Sequence, residues 1–446
     1  MKAFTFKRGI HPPTDKVSTE DRAIIDVPSL AGSIMTYPFS QHLGAPAVPI
    51  VEVGERVLRG QKIAEADGHF SVPIYTAVSG TVTDIVAEGI FLPSGGVSGG
   101  IIIESDGKEE EHSSMNKQRD YKTLSKEEIL YLIKESGIVG MGGAGFPAHI
   151  KLNPPPNKSL DTIIVNGAEC EPYLTNDHRV MLEQPGRVVE GLQIVLHTTF
   201  NNANGVIGIE TNKPDAIKAI TKACEGTRIR VCPLQPKYPQ GAEKQLISAI
   251  TGREVPSGGL PIDIGCTVIN VETAIAIQRG VVRGKPLMAR NLTLSGDMVN
   301  NPGNYKVKIG SSYKDLITFT GGLKGKPYKI ISGGPMMGVA LFSLDVPVIK
   351  TSSSILCVSE KLALLNEEQP CIRCARCLEH CPMGLMPLDL NKYVVLHDYE
   401  SFEKYNGLDC IECGSCSFVC PSKRFLAQSI RAARRSIMEE KRSKRS

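Results

Sequence analysis

The sequence has no long hydrophobic run and little net charge. No stretch of about 18 or more apolar residues occurs, so no bilayer-spanning helix is expected. The N-terminus (Met1 to Arg8) has basic residues but no apolar core after them, and we therefore expect no signal peptide. The net charge of +4 is too small to indicate nucleic-acid binding. These features predict a cytosolic protein that binds no nucleic acid.

Cysteine is unusually abundant and clustered. The chain has 446 residues, of which 41% are apolar and 22% charged, as in a soluble protein of about three domains. Of its 13 cysteines, eight fall between Cys371 and Cys420. In a chain without an export signal, such a cluster indicates metal ligands rather than disulfides.

Two cysteine runs share the spacing C-x₂-C-x₂-C-x₃-C-P, which is the spacing of bacterial two-cluster ferredoxins. In those proteins the fourth cysteine of each run binds the other cluster. The spacing therefore predicts one 4Fe–4S cluster held by Cys371, Cys374, Cys377 and Cys420. It predicts a second cluster held by Cys410, Cys413, Cys416 and Cys381.

A pair of zinc sites is the alternative. Zinc ribbons pair two C-x₂-C knuckles, and a third cysteine with a trailing Cys-Pro has no role in them. The remaining cysteines lack this spacing, and four of them are predicted to be buried small apolar side chains. The five remaining cysteines are Cys170, Cys224, Cys232, Cys266 and Cys357, and Cys170 lies inside another motif.

Short β-rich runs with turn residues occupy residues 50 to 85. The stretches VPIVEVGERVLRGQKIAEADG and VPIYTAVSGTVTDI resemble the barrel-sandwich fold of biotinyl and lipoyl carriers. Those carriers present a modified lysine on the central hairpin turn, whereas Ala66 to Tyr75 contain no lysine. We therefore expect a packing or docking role for this domain, and not a swinging arm or a carboxylase-associated carrier.

The middle of the chain alternates between strand-like and helix-like segments. The predicted strands are Thr162–Val165, Val206–Ile209 and Thr267–Val271, and the predicted helices are Ser125–Ser136, Pro214–Glu225 and Gly241–Thr251. This alternation predicts an α/β domain with a largely parallel sheet. Glycine-rich, strand-like sequence between Leu287 and Val348 predicts a small β domain.

A helix predicted after Pro421 leads to the basic end KRSKRS. Such an end is typical of a solvated tail. Contact with an anionic membrane surface or an acidic partner is the alternative.

A glycine-rich segment, GMGGAGFP, spans residues 140–147. It matches G-x-G-x-x-G, but it follows a predicted helix, whereas the dinucleotide motif follows a strand. Glycines at this density let backbone amides approach a phosphate or a ring closely, and Lys151 is near enough to add a positive charge. A purely structural glycine turn is the alternative.

Four segments, taken in order, resemble a known family. GMGGAGFPAHIKL resembles the GRGGAGFPTGLKW signature of the flavoprotein subunit of respiratory complex I. Segments Asn166–Pro172, Tyr238–Glu243 and Asn270–Thr273 resemble the N-A-D-E-S-E-P, Y-x-x-G-E-E and N-V-E-T segments of that family. Including the opening Arg8–Pro13, nearly the whole chain is similar to the C subunits of Rnf-type ion-translocating ferredoxin:NAD oxidoreductase complexes.

This resemblance implies an α/β multidomain chain. The implied domains are a barrel-sandwich with a linker (1–120), a complex I flavoprotein-like α/β domain that binds FMN and NADH (121–286), a β-grasp, SLBB-like domain (287–350), a helical double-cubane ferredoxin domain (351–430) and a basic tail (431–446).

The resemblance also implies the cofactor-binding residues. FMN would be held by Gly140, Gly142, Gly143, Lys151, Asn166, Glu169, Asn270 and Thr273. NAD(H) would lie beside Phe146, Glu171, Tyr238 and Glu243. Acidic groups bind ribose hydroxyls and repel a 2′-phosphate, which favours NAD over NADP.

Three positions depart from the family pattern. Ala168, Cys170 and Met141 stand where the family has Asp, Ser and Arg. Loss of the Asp removes an expected hydrogen bond to flavin.

The expected function is that of a peripheral electron-transfer subunit on the cytoplasmic side of the inner membrane. It would exchange electrons between NAD(H), FMN and two 4Fe–4S clusters. Its expected partners are other subunits of the complex, including membrane-spanning ones, and a ferredoxin-type electron donor. One alternative is a soluble cobalamin reductase, although its barrel-sandwich segment is expected near the C-terminus. The other is a non-catalytic iron–sulfur conduit with a vestigial flavin site.

Overall fold

The computed structural model describes residues 3–199, 202–363 and 367–444. The predicted domain ranges include a few residues outside this description, at 1–2, 200–201 and 364–366. The last two residues of the basic end KRSKRS also lie outside it.

The N-terminal part of the chain forms two small antiparallel sheets. Its strands are β1 (Ile24–Asp26), β2 (Ile34–Pro38), β3 (Val48–Pro49), β4 (Arg56–Val57), β5 (Lys62–Glu65), β6 (Ile74–Tyr75), β7 (Gly80–Phe91) and β8 (Val97–Ser105). One sheet has the order β2-β8-β7-β4 and the other β3-β5-β6. Tyr37, Ile63 and Ile101 come from both sheets and are fully buried in a shared core. This is the expected barrel-sandwich.

The next part is an α/β domain. Its elements are α1 (Lys126–Glu135), α2 (Ala148–Lys151), β9 (Thr162–Gly167), α3 (Asn176–Glu183), α4 (Pro185–His197), β10 (Asn204–Glu210), α5 (Pro214–Ala223), β11 (Arg230–Leu234), α6 (Glu243–Thr251), β12 (Cys266–Asn270) and α7 (Val271–Arg283). Short 3-10 helices span Tyr121–Thr123 and Pro261–Ile264.

The sheet of this domain has the order β11-β10-β9-β12, and every neighbouring pair is parallel, as predicted. The predicted helix before the glycine-rich segment is present as α1. It begins at a capping box, in which Ser125 and Glu128 exchange side-chain to backbone hydrogen bonds.

The β-grasp part comprises β13 (Ala289–Ser295), β14 (Gly303–Lys308), α8 (Tyr313–Phe319), β15 (Lys329–Ser332), β16 (Val339–Leu341) and β17 (Ser354–Val358). These five strands and β1 from the N-terminal part form a six-stranded sheet of order β1-β14-β13-β17-β15-β16. Strand β17 is therefore central to this sheet, although it falls in the range predicted for the ferredoxin domain.

The C-terminal part is helical. It contains α9 (Glu360–Ala363), α10 (Arg376–Glu379), α11 (Pro387–Val395), α12 (Tyr399–Lys404), a 3-10 helix (Gly407–Asp409), α13 (Ser415–Phe418) and α14 (Leu426–Ser443). Leu390, Phe402, Ile430 and Ile437 form its buried core. Helix α14 continues through most of the range predicted as a basic tail, because its apolar face packs into this core.

Residues 3–26 lie outside the barrel-sandwich. Phe4 and Ile10 bridge to Leu234 and Tyr238 of the α/β domain. Strand β1 pairs in parallel with β14 at the edge of the β-grasp sheet. The predicted range 1–120 thus contains an N-terminal strap as well as the barrel-sandwich, because these backbone groups find partners at neighbouring sheet edges.

Within the described ranges, no helix combines the length and the apolar character needed to cross a membrane.

Candidate functional site

The glycine-rich loop (residues 140–146) is fixed by backbone hydrogen bonds at Met141. The Met141 N–H donates to Oγ1 of Thr273 at 3.0 Å, and the Met141 carbonyl accepts from Arg290 at 3.2 Å. Arg290 is itself buried and paired with Glu272 at 2.8 Å. Thr273, predicted to bind phosphate, therefore also anchors the loop. A hydroxyl can accept and donate at once, so the two roles are compatible.

The tip of this loop is open and lies next to the N-terminus of α7. Gly142 and Gly143 are exposed. A Cβ on Gly143 would meet nothing within 4 Å, whereas one on Gly142 would lie 3.0 Å from Cβ of Asn270, the N-cap of α7. Exposed loop amides beside a helix N-terminus form a site suited to a phosphate.

A half-buried acidic residue, Asp177, lies behind Asn270. The side-chain N–H of Asn270 donates to Asp177 at 2.6 Å, and the Asp177 backbone N–H donates to Oε1 of Glu169 at 2.7 Å. Burial, with the Glu169 and Glu272 carboxylates nearby, raises the pKa of Asp177 to about 8. Two predicted FMN residues, Asn270 and Glu169, are thus linked through a third residue that the sequence analysis did not select.

Two buried lysines hold the segment that follows β9. The ammonium of Lys16 donates to the Glu169 and Leu174 carbonyls at 2.6 and 2.7 Å. Lys213 donates to the Ala168 carbonyl at 2.7 Å. Burial lowers the pKa of Lys16. These lysines fix the predicted flavin-binding segment from behind.

Two of the three departures from the family pattern, Ala168 and Cys170, lie on this same segment, and the third, Met141, lies in the glycine-rich loop. Ala168 is fully buried in the core beneath the sheet. The Cys170 thiol accepts a hydrogen bond from the Gly241 N–H at 3.3 Å, and its burial raises the pKa of the thiol to about 12. Asn166 donates to the Gly241 carbonyl at 2.8 Å. The side chains of this segment therefore fasten it to the turn before α6.

Lys151 and Glu243 form an ion pair, with 2.5 Å between Nζ and Oε1. The first is a predicted FMN residue and the second a predicted NADH residue. Both side chains are partly exposed, so a ligand phosphate can compete for the lysine. The structure thus brings the two predicted sites together at this point.

The barrel-sandwich packs on the glycine-rich loop. The rings of Phe70 and Phe146 meet edge to face with their centroids 6.1 Å apart. The ring centroids of His69 and His149 are 6.3 Å apart. Phe70 and His69 belong to the hairpin that would carry the modified lysine in a biotinyl or lipoyl domain. Burial lowers the pKa of His149 to about 4, so this contact is made by a neutral ring.

Glu171 and Tyr238 connect the α/β domain to the two C-terminal parts. The Tyr238 hydroxyl donates to the Cys413 carbonyl at 2.7 Å and lies 3.4 Å from Glu171. The Glu171 carboxylate accepts the backbone N–H groups of Met336 and Met337 at 3.2 and 2.9 Å. Burial raises the pKa of Glu171 to about 7. These two predicted NADH residues therefore lie beside a predicted cluster ligand, with Tyr238 buried and Glu171 half-buried.

The cysteines separate into the two predicted sets. Cys381, Cys410, Cys413 and Cys416 line one small cavity. Cys371, Cys374, Cys377 and Cys420 line another. The second predicted set, which includes Cys381, is mostly buried, whereas Cys371 and Cys374 of the first set are exposed.

The two cysteine loops have the same local geometry. The N–H of Arg373 lies 3.4 Å from Sγ of Cys371, and that of Glu412 lies 3.4 Å from Sγ of Cys410. Both residues have positive φ, at 55° and 56°. This turn aims backbone N–H groups at sulfur, and such hydrogen bonds stabilise the negative charge of a cluster. Four cysteines lining each small cavity, with backbone donors to sulfur, fit a cubane.

Four family profiles match the chain in order. They are the RnfC barrel sandwich hybrid domain (residues 4–108), the Nuo51 FMN-binding domain (133–279), the SLBB domain (291–340) and a 4Fe-4S dicluster domain (370–425). The expected fold class is therefore confirmed, and so are the expected cofactor classes, FMN and 4Fe–4S clusters. The dicluster profile favours cubanes over zinc.

Two curated relatives match almost end to end. The C subunit of the proton-translocating ferredoxin:NAD(+) oxidoreductase complex of Clostridium ljungdahlii is 48% identical over 429 residues, which are 96% of this chain and 93% of that protein. The C subunit of the Na(+)-translocating ferredoxin:NAD(+) oxidoreductase complex of Acetobacterium woodii is 44% identical over 446 residues, 99% of each chain. This chain belongs to the RnfC family.

The donor set around the glycine-rich loop fits the FMN-binding domain of an RnfC protein. It offers exposed loop amides, a helix N-terminus and the Lys151 ammonium for the phosphate. Lys16, Lys213 and Asp177 were not predicted from the sequence. They carry no local signal there, because their neighbours in the chain are largely polar, and their role becomes visible only when burial is known.

Proposed function

We propose that this chain is the peripheral electron-transfer subunit of a membrane-bound, ion-translocating ferredoxin:NAD oxidoreductase complex. It exchanges electrons between NAD(H), FMN and two 4Fe–4S clusters. One observation carries the proposal: Tyr238, in the predicted nucleotide region, donates a hydrogen bond to the backbone of Cys413. The flavin region and the cluster region are therefore in direct contact.

The predicted site residues have separate roles in binding FMN and NAD(H). Gly142, Gly143 and the N-terminus of α7 bind the FMN phosphate, with Lys151 as its counter-charge. Phe146 and Glu243 lie on the side from which NAD(H) approaches. When bound, FMN supplies the conversion between hydride transfer, two electrons together, and single-electron transfer. The mostly buried second cysteine set adjoins the flavin region through Tyr238, and the more exposed first set faces outward.

The names of the relatives support a proposal for the partners and the location of this chain. The relatives belong to multi-subunit complexes, as their names state. We propose that other subunits, some of them membrane-spanning, hold this chain on the cytoplasmic side of the membrane. A ferredoxin-type donor supplies electrons through the complex. The near full-length match to these relatives disfavours a cobalamin reductase.

The test is an anaerobic titration of the purified, FMN-supplemented chain with NADH. Flavin absorbance and the EPR signals of the clusters are followed together. We expect flavin bleaching and reduced-cluster signals, both weakened by Lys151→Ala and by Glu171→Ala. Lys158→Ala is the matched control, because Lys158 forms a comparable surface ion pair with Asp263 away from the loop.

The competing function is a non-catalytic iron–sulfur conduit, in which the Ala168 and Cys170 departures mark a vestigial flavin site. If the clusters are present and NADH changes neither flavin nor iron, the conduit is the correct account.

A further inference from the structure

A cleft of about 760 Å³ lies where three domains meet. Its walls are the turn between β7 and β8, the hairpin of β15 and β16, and the helices α13 and α14. None of the predicted FMN or NADH residues lines it. We call it the basic cleft, and it borders the predicted nucleotide region at Met336, whose backbone N–H donates to Glu171.

The lining of the basic cleft carries positive charge. Its charged residues are Lys329, Lys423, Arg424, Arg431 and Arg435, and no Asp or Glu of the described chain lines it. Arg431 is paired with Glu412 at 2.8 Å, and Arg424 lies 3.5 Å from Glu368. The other three have no carboxylate within ion-pair distance in the described ranges. The cleft therefore attracts a surface of negative charge.

The basic cleft also exposes aromatic rings. Phe91, Phe342, Phe418 and Phe425 line it, and each is at least 44% exposed. The rings of Phe91 and Phe342 meet edge to face, with their centroids 4.8 Å apart. Exposed apolar side chains gathered in one concave, charged surface are typical of a protein interface. A purely solvated basic face would not need them.

The floor of the basic cleft is the helix that carries cluster ligands. Phe418 is the last residue of α13 and lies in sequence between Cys416 and Cys420, and Gly414 directly follows Cys413. Lys423 follows Cys420 by three residues. A protein seated here would approach both cysteine sets, and electron transfer becomes faster as the distance between redox centres shortens.

We propose that the basic cleft is the docking site for an acidic iron–sulfur electron carrier. This inference rests on the proposed function and adds the place and the chemistry of the partner. One electron leaves a reduced cluster of the carrier and enters an oxidised cluster of this chain, and no bond forms or breaks. Electron-transfer contacts of this kind are small, and their dependence on charge makes them sensitive to salt.

The experiment measures binding of an acidic bacterial two-cluster ferredoxin to the cluster-loaded, full-length chain by biolayer interferometry. The Kd is measured at about 50 and 300 mM salt, where screening differs strongly. The double variant Lys329→Glu/Arg435→Glu removes two cations that have no ion-pair partner in the described chain. We expect its Kd at low salt to rise about tenfold or more, with a shallower salt dependence.

Two further variants sharpen the result. Phe342→Ala, at a 78% exposed position, should weaken binding and leave the salt dependence intact. Lys218→Glu/Lys222→Glu is the matched control. It reverses two exposed charges on α5 of the α/β domain and should leave the Kd unchanged.

Each other outcome is informative. If the double variant and Phe342→Ala both bind the ferredoxin as the unchanged chain does, the docking proposal is overturned. If they instead raise the Kd for NADH, the cleft is a nucleotide site and the proposal also fails. NADH reduction of flavin is measured in the same proteins. If NADH does not reduce flavin in the unchanged chain, the proposed function is wrong. The ferredoxin-binding measurement tests the docking proposal independently of that result.

Discussion

The Tyr238 hydroxyl donates a hydrogen bond of 2.7 Å to the carbonyl oxygen of Cys413. Tyr238 belongs to the α/β domain and Cys413 to a predicted cluster-binding loop, and the two are separated by 175 positions in the chain. The tyrosine is 1% exposed, so the bond is shielded from water. It fixes the cluster region against the flavin region, and this arrangement places the predicted flavin and cluster sites next to each other.

Replacing Tyr238 with phenylalanine tests this contact. The Cys413 carbonyl would lose its donor inside the protein, which should lower the free energy of unfolding by about 1–3 kcal/mol. Loss of a donor dipole near the second cysteine set should also make the reduction potential of that cluster more negative. Thermal unfolding and an EPR-monitored redox titration measure both effects. Tyr131→Phe, at a 62% exposed position, should change neither.

The crossed assignment of the fourth cysteines predicts which variants resemble each other. Cys381→Ser should abolish the same EPR signal as Cys410→Ser, and Cys420→Ser the same signal as Cys371→Ser. Each should lower iron from roughly eight to roughly four atoms per chain. Cys224→Ser, which changes a buried cysteine outside both sets, should keep all the iron. A Cys381→Ser variant that matches Cys371→Ser would contradict the assignment.

The parts of this fold that could be predicted from the sequence are those that depend on patterns of neighbouring residues. The two cysteine sets and the helix capped by Ser125 depend on spacing within a few residues, and the structure has both. The parallel sheet followed from alternating strands and helices. The glycine-rich loop was recognisable because only glycines leave room for a ligand at Gly142 and Gly143.

Features made by distant parts of the chain escaped prediction. Lys16 donates a hydrogen bond to the carbonyl of Glu169, which lies 153 positions later in the chain, and strand β1 pairs with β14 in the β-grasp sheet. Neither partner carries a local signal, because a lysine that will be buried looks like any surface lysine in sequence. The contact between Phe70 and Phe146 was hidden for the same reason, although a docking role for the barrel-sandwich was expected.

The ion pair between Lys151 and Glu243 predicts opposite effects for its two members. Lys151→Ala should weaken FMN binding about 10- to 100-fold, since a charged hydrogen bond to phosphate is lost. Glu243→Gln should leave FMN affinity unchanged or improve it, because the lysine loses a competing carboxylate, while the KM for NADH rises. Neither should shift the thermal midpoint appreciably, because partly exposed ion pairs contribute little. Fluorescence titration with FMN and steady-state kinetics measure these effects.

Because the tip of the glycine-rich loop is open, a side chain added at Gly143 should weaken FMN binding without lowering the stability of the fold. A Cβ on Gly143 meets no protein atom within 4 Å, so Gly143→Ala should fold normally. Its methyl group would stand in the space left for FMN and should weaken FMN binding about tenfold. Gly186→Ala, where a Cβ also meets nothing, is the matched control and should bind FMN as before. Equal FMN affinity in both variants would place the flavin elsewhere.

The buried Glu171 carboxyl predicts a pH dependence of stability. Burial raises its pKa from 4.5 to about 7, so the folded protein holds this proton more tightly than the unfolded chain. The stabilisation is complete below about pH 4.5 and is lost as pH rises through 7, by up to about 1.4 kcal/mol per pH unit. Glu171→Gln should remove this slope. Thermal midpoints between pH 5 and 8 measure it, with the exposed Glu225→Gln as control. Parallel profiles for Glu171→Gln and the unchanged chain would show that Glu171 stays ionised across this range.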